Sequence, residues 1–314
     1  MSDGPPVNTV VALGGGHGLS VSLRALRLLD IEPVAVVGTG DDGGSSGRLR
    51  EHLGVPPPGD LRMALVALVG DGSGSALWPR VLQHRFGGSG DVEGHALGNL
   101  LLVALWEETG DVVAGLDRLG HVLEARGRVL PNSLEPVVVA ARVRTIDGAR
   151  DIVGQARLTL TVGHVEGLRL LPEHPRACPE AVAAIRSAST LVFGPGSWYT
   201  SVLPHLLVPG ISEAIAASSA RRVLVLNATP QAGETQGFEA HTYLETWWGL
   251  FPDMGLDVVV ADPRAVSDAG RLAGAASRLG AEVHLGDLLV SSGGGHDPAR
   301  LAAALEGALP TAAR

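Results

Sequence analysis

Apolar and polar positions along this chain follow two alternating rhythms. Short β-branched runs stand directly before glycine-rich segments, and longer stretches carry apolar residues at three- and four-residue spacing. Residues 9–13 ("TVVAL") read as a buried strand, followed by "GGGHGLS". From Leu19, apolar residues recur at Leu23 and Leu26, which predicts a helix, and "PVAVV" at 33–37 is a second strand. Strand, glycine loop, helix and strand in that order begin a parallel α/β sheet. Leu61, Leu65 and Leu68 predict another helix after "PPPGD", with the Pro-Gly pair as the stop before it. "GHALGNLLLVALWEE" predicts a buried helix that sets His95 and Asn99 one turn apart on one face.

The middle of the chain breaks this rhythm. "EPVVVAARV", "DIVGQARLTL" and "VEGLRLL" read as three short strands without a helix between them, a β-rich excursion over residues 131–172. A helix over 179–187, strand "TLVFG", helix "ISEAIAAS", strand "RVLVLN", helix "TYLETWWGLF", strand "LDVVVAD" and closing helix "DPARLAAALEGAL" then restore it. The pattern predicts one α/β domain over 1–314, with a mainly parallel sheet and a small β-rich insertion at 131–172. Only the first few residues and "SSGGGHD" read as disordered.

Four unusual loops follow predicted strands directly: "GGGHG", "GTGDDGGSSGR", "GPGSWYTS" and "NATPQAGET". In a parallel sheet they gather at the carboxyl edge, where ligands bind near the switch in strand order. The first loop (Gly14, Gly15, Gly16, His17, Gly18) does not complete a dinucleotide fingerprint, since Leu19 or Val21 stands where the third glycine belongs. It suits a phosphate at a helix N-terminus, or simply a tight turn. In the second loop, Asp41 and Asp42 can share a divalent metal with phosphate oxygens, or hydrogen-bond a base, a ribose or backbone N–H groups. Gly43, Gly44, Ser45 and Ser46 can cradle a phosphate that Arg48 neutralises. Asp60 and Arg62 add a second charged pair that serves the site or a helix cap. His95 and Asn99 on so apolar a helix need partners, either each other or a ligand. The third loop contributes Gly194, Pro195, Gly196 and Ser197, with Trp198 and Tyr199 as stacking or packing aromatics. The fourth contributes Asn227, Gln231, Glu234 and Thr235.

Composition narrows the chemistry. The formal charge of −9 excludes a general nucleic-acid or anionic-membrane binder. No apolar run approaches the roughly 20 residues of a membrane span, and the N-terminus lacks a signal peptide's basic region, so a cytoplasmic protein is expected. All 24 basic residues are arginine, which removes a catalytic lysine, Schiff-base chemistry and the Walker lysine together. Cys178 is the only cysteine, so neither an internal disulfide nor a cysteine zinc site is available.

"GGGHGLSVSLRALR", "DDGGSSGRLREHLGVPPPGDLRMALVAL", "GHALGNLLLVAL", "GPGSWYTSVLPHLLVPGI" and "NATPQAGET" together resemble the CofD-like superfamily, and within it the YvcK branch, the gluconeogenesis factors. The likeness extends to about Val260. It departs from the family pattern at His17, Met63 and His205, and at Pro230 and Ala232 of the fourth loop. The resemblance implies a modified Rossmann-like fold and a regulatory protein that assembles as a homo-oligomer, a dimer. It further implies binding of UDP-N-acetylglucosamine and a role in cell-wall synthesis and cell shape during gluconeogenic growth, with cell-wall synthesis proteins as partners. The alternative it implies is a magnesium-dependent transferase that moves a phospholactyl group onto a deazaflavin, with Asp41 and Asp42 as candidate metal ligands.

Overall fold

The computed structural model describes residues 9–70, 77–231, 233–291 and 294–310. Residues 1–8 and, within "SSGGGHD", Ser292 and Gly293 lie outside the described residues, as does Ala232. In chain order the strands are β1 (Val10–Gly14), β2 (Val34–Val37), β3 (Arg128–Pro131), β4 (Val138–Thr145) and β5 (Gly148–Val153). They continue as β6 (His164–Leu171), β7 (Thr190–Phe193), β8 (Arg221–Val225), β9 (Val258–Ala261) and β10 (Glu282–Leu285). The first helices are α1 (Gly16–Leu28), α2 (Gly44–Leu53), α3 (Pro58–Leu68), α4 (Leu77–Gln83), α5 (Leu97–Thr109) and α6 (Val112–Val122). After them come α7 (Gln155–Leu158), α8 (Pro179–Ser187), α9 (Pro209–Ala217), α10 (Ala240–Leu250), α11 (Ala269–Arg278) and α12 (Pro298–Ala308).

Seven strands form one sheet in the order β10-β9-β8-β7-β1-β2-β3, every neighbouring pair parallel. Helices cover both faces, so the central strands are buried on both sides and read as continuous apolar runs. Alternation along β1 divides the core in two. Val11 and Leu13 pack toward α8 to α11 and the insertion, while Val10 and Ala12 pack toward α1, α3, α5 and α12. The insertion is a second, antiparallel sheet in the order β5-β4-β6. Its Val139, Ala141, Ile152 and Leu170 share the first core with Leu13 and Phe193.

The expected α/β architecture with a mainly parallel sheet is present, with corrections in detail. "DIVGQARLTL" is not one strand: β5 ends at Val153 and the next residues make the single turn α7. Pro58 and Gly59 do not stop the chain but open α3, because a first-turn proline loses no helical hydrogen bond. Two elements had no clear apolar signature: the buried face of α11 is mostly alanine (Ala275 and Ala276 beside Leu272), and β10 is a partly exposed edge strand. Helix α6 does carry an apolar face, Val113, Leu116 and Leu119, and Asp111 caps it by accepting the Ala114 N–H at 2.6 Å. No single helix among the described residues is long and apolar enough to cross a membrane.

Candidate functional site

The chain proceeds outward from β1 through β2 to β3 on one side, and from β7 through β8 and β9 to β10 on the other. The strand order therefore switches between β1 and β7, where an open α/β sheet forms its ligand crevice. Gly14 ends β1 and α1 begins at Gly16, so the first loop is almost entirely a helix start. Gly18 in that first turn lies against the loop after β7. A Cβ there would overlap Pro195 O and come within 2.6 Å of Gly196 Cα, so only glycine allows this approach. Gly196 is clamped by Asn227, which accepts its N–H at 2.9 Å and donates Nδ2–H to its carbonyl at 2.7 Å. Below the loop, Ser22 donates to Gly194 O at 2.7 Å and His205 Nε2 donates to Gly14 O at 3.1 Å. Burial lowers the His205 pKa to about 4, so it is neutral. A cavity of about 220 Å³ remains, lined by His17, Gly18, Pro195, Gly196, Asn227 and Gln231.

On the β2 side the glycine loop is shorter than its sequence implies. Helix α2 starts at Gly44, so Ser45, Ser46 and Arg48 are helical and not loop residues. Asp41 Oδ1 accepts the Gly43 N–H at 3.0 Å, and Ser46 Oγ accepts the Gly59 N–H at 3.0 Å. Asp42 points away from Asp41 in function: its Oδ1 accepts the Ala156 N–H at 2.8 Å and so ties the α7 turn of the insertion to this loop. Asp60, in the first turn of α3, accepts the Gly16 N–H at the start of α1. A Cβ on Gly15 would lie 2.6 Å from Asp60 Oδ2. Burial, then the charge of Asp41, raises the Asp60 pKa to about 7 against the pull of the Gly16 N–H and Arg62. Arg62 is only 4% exposed, and its Nε and Nη1 have no hydrogen-bond partner among the described residues. Burial lowers its pKa, with Arg85 adding repulsion and Asp60 and Asp41 opposing it.

His95 is not on the helix with Asn99; α5 begins two residues later, at Leu97. The two meet through Ser45, whose Oγ lies 2.9 Å from His95 Nδ1 and 2.9 Å from Asn99 Nδ2. This side opens into a cavity of about 860 Å³ lined by Asp42, Ser45, Arg48, Arg50, Arg85 and Glu93, among others. Backbone carbonyls fix the arginines: Arg48 donates to Glu93 O, Arg85 to Gly94 O and Arg50 to Val137 O.

The loop after β8 is differently employed. Glu234 is buried and accepts the Thr200 hydroxyl at 2.6 Å and the Tyr199 N–H at 3.3 Å, and burial raises its pKa. Gln231 Nε2 donates to Ser197 Oγ at 3.2 Å, and Thr235 Oγ1 accepts from Gln231 N–H and the Tyr243 hydroxyl. Trp198 and Tyr199 are packing aromatics, buried against Tyr243 and Phe238 with centroids 5.2 and 6.3 Å apart. The predicted residues thus share the carboxyl edge, but only some line the two cavities. Asp42, Gly44, Ser45 and Arg48 line the large one, and His17, Gly18, Pro195, Gly196, Asn227 and Gln231 the small one. Asp41, Asp60, Arg62, His95 and Asn99 line neither. Of the carboxylates that could hold a magnesium ion, Asp41 accepts the Gly43 N–H, Asp42 the Ala156 N–H and Asp60 the Gly16 N–H; magnesium needs only one or two when phosphate oxygens complete its shell.

Residues 10–278 match the family described as 2-phospho-L-lactate transferase CofD. The chain belongs to that family. It is 47% identical to a protein named putative gluconeogenesis factor from Mycobacterium tuberculosis, over 98% of this chain and 90% of that one. It is 40% identical to the gluconeogenesis factor of Bacillus subtilis, over 82% and 80% of the two chains. The crystal structure of a UPF0052 family member from Bacillus halodurans superposes with a TM-score of 0.85 at 34% identity, covering 96% of this chain and all of that one.

Some residues of this CofD family member's cavities had no sequence signal. Leu289, Gly295 and His296 complete the small cavity from the C-terminal segment. His296 Nε2 donates to Leu226 O at 3.1 Å, and buried Asp262 accepts the Leu288 N–H at 2.8 Å while pairing with Arg264. Arg50, at the end of the DDGGSSGRLR run, joins the large cavity from a face of α2, and Arg85 joins it from an isolated bridge to Ala96 with no motif around it.

Proposed function

We propose that this chain is a cytoplasmic regulatory protein that binds UDP-N-acetylglucosamine and adjusts cell-wall synthesis and cell shape during gluconeogenic growth. The observation that carries this reading is Arg62, a buried guanidinium with two unpartnered nitrogens beside Asp60 and Asp41 at the carboxyl edge. Such a group gains most when an anion completes its hydrogen bonds. A diphosphate supplies that anion, and Arg48 in the adjoining cavity supplies a second cation. With Asp42 tied to Ala156, arginines and helix N-termini offset the phosphate charge without a metal. The regulator acts as a homodimer on proteins of cell-wall synthesis. The names of the relatives, gluconeogenesis factor, agree with a regulatory role.

One observation favours the second reading, a magnesium-dependent phospholactyl transferase acting on a deazaflavin. Burial, and after it the charge of Asp41, raises the Asp60 pKa to about 7, and a divalent cation would favour the charged form of both carboxylates. In that case the ion supplies Lewis-acid stabilisation of phosphate charge, and Asp41 and Asp60 hold it. Calorimetric titration of UDP-N-acetylglucosamine into the protein separates the readings. Binding that survives EDTA, with no product formed, supports the regulator. Binding that requires magnesium overturns it in favour of the transferase.

A further inference from the structure

At the wall of the large cavity, Ser45 meets His95 and Asn99, a group to which the diphosphate-binding arginines give no role. Asn99 Nδ2 donates to Ser45 Oγ at 2.9 Å, and that oxygen lies 2.9 Å from His95 Nδ1. Oγ accepts from the Asn99 amide, and it donates its one hydrogen to His95 Nδ1 when the imidazole proton sits on Nε2. In that tautomer the basic nitrogen faces the hydroxyl. His95 is buried, and burial, followed by the charges of Arg48, His52 and Arg85, holds its pKa below the usual histidine value, so the ring is a free base at neutral pH. Ser45 itself lies in the first turn of the ten-residue α2, whose N-terminus no side chain caps, and it lines the cavity of about 860 Å³.

We propose that Ser45 is a nucleophile, activated by His95 and aligned by Asn99, that takes the acyl group of a carboxylic ester. In this step the Oγ–C bond forms and the ester C–O bond breaks. The Oγ proton passes to His95 Nδ1 and from there to the departing alkoxide, and water later releases the acid by the same route. The first-turn N–H groups of α2, which no side chain caps, and the helix dipole would stabilise the developing oxyanion. Arg48 and Arg85 add positive charge to the same cavity and disfavour a second proton on His95.

The test is incubation of the full chain with an alkyl fluorophosphonate, in which an Oγ–P bond forms, fluoride leaves and His95 accepts the proton. One phosphonyl group per chain, mapped to Ser45 by peptide mass spectrometry, is expected. Ser45→Ala should abolish the adduct, and His95→Asn should slow labelling about 100-fold, the usual scale of general-base assistance. Circular dichroism and thermal unfolding of both variants show whether they remain folded. In the wild-type chain, labelling should fall as pH drops through the His95 pKa, and nitrogen-15 NMR should find His95 protonated on Nε2. Absence of an adduct, an adduct on Ser46 or elsewhere, equal labelling in a folded His95→Asn variant, or a proton on Nδ1 would each overturn the proposal. None of these outcomes depends on UDP-N-acetylglucosamine, so the two readings fail separately.

Discussion

On the β7–β8 side of the strand-order switch, Asn227 and Glu234 are committed to the protein's own backbone and neighbours, while Trp198 Nε1, His205 Nδ1 and Gln231 Oε1 keep open polar atoms among the described residues. Asn227 clamps Gly196 from both ends, and Glu234 holds Thr200 and the Tyr199 N–H. On the β1–β2 side the same edge keeps capacity in reserve: Arg62 has two open donors, Asp60 keeps a proton near neutrality, and Ser45 faces a cavity of about 860 Å³. One side is a rigid wall and the other a receptive surface. Polar residues of similar type, on loops equally rich in glycine, therefore differ in role according to whether the fold has already supplied their partners. Stability should depend chiefly on the first set, and ligand affinity on the second.

The largest effect should come where the two sides touch. Gly18→Ala forces a Cβ into Pro195 O and Gly196, a backbone clash that should lower unfolding free energy by about 3 kcal/mol in urea titration. An unchanged midpoint would mean that the loops part easily and that the wall is not rigid. Glu234→Ala should cost about 2 kcal/mol in the same assay, because it strips partners from two buried donors. Arg62→Met should leave stability unchanged or raised, yet weaken UDP-N-acetylglucosamine by about 1.5 kcal/mol in calorimetry. If it instead unfolded the protein without touching affinity, the division of labour would be reversed.

The smallest effect depends on pH. The folded Asp60 pKa of about 7 lies above its model-compound value of 3.8, so folding retains a proton that the unfolded chain releases. Below 3.8 both states are protonated and the residue carries no penalty. Between 3.8 and 7 the penalty grows, and above 7 it is complete. Asp60→Asn should thus equal the wild type in stability near pH 4 and exceed it at pH 8, with the gap opening between those values in urea titration. Stability curves that stay parallel from pH 4 to 8 would remove the buried-carboxylate argument.

The order of short apolar runs, glycine loops and helical spacings was enough to read a parallel α/β sheet, because each central strand is buried on both faces and carries that fact in its composition. The same logic placed the four loops at one edge: consecutive parallel strands must all end there. Elements without a distinctive apolar face, such as the alanine-lined α11 and the edge strand β10, left no such mark. What the sequence could not decide was which polar groups remain unpartnered. Asp41 and Asp42 are adjacent in the chain, yet the insertion's α7 takes Asp42 and the start of α3 brings Asp60 toward Asp41. His95 meets Asn99 only because Ser45, some fifty residues away, enters between them. Hydrogen bonding in a buried site is decided by distances of a few tenths of an ångström between segments far apart in sequence, and those distances exist only once the chain has packed.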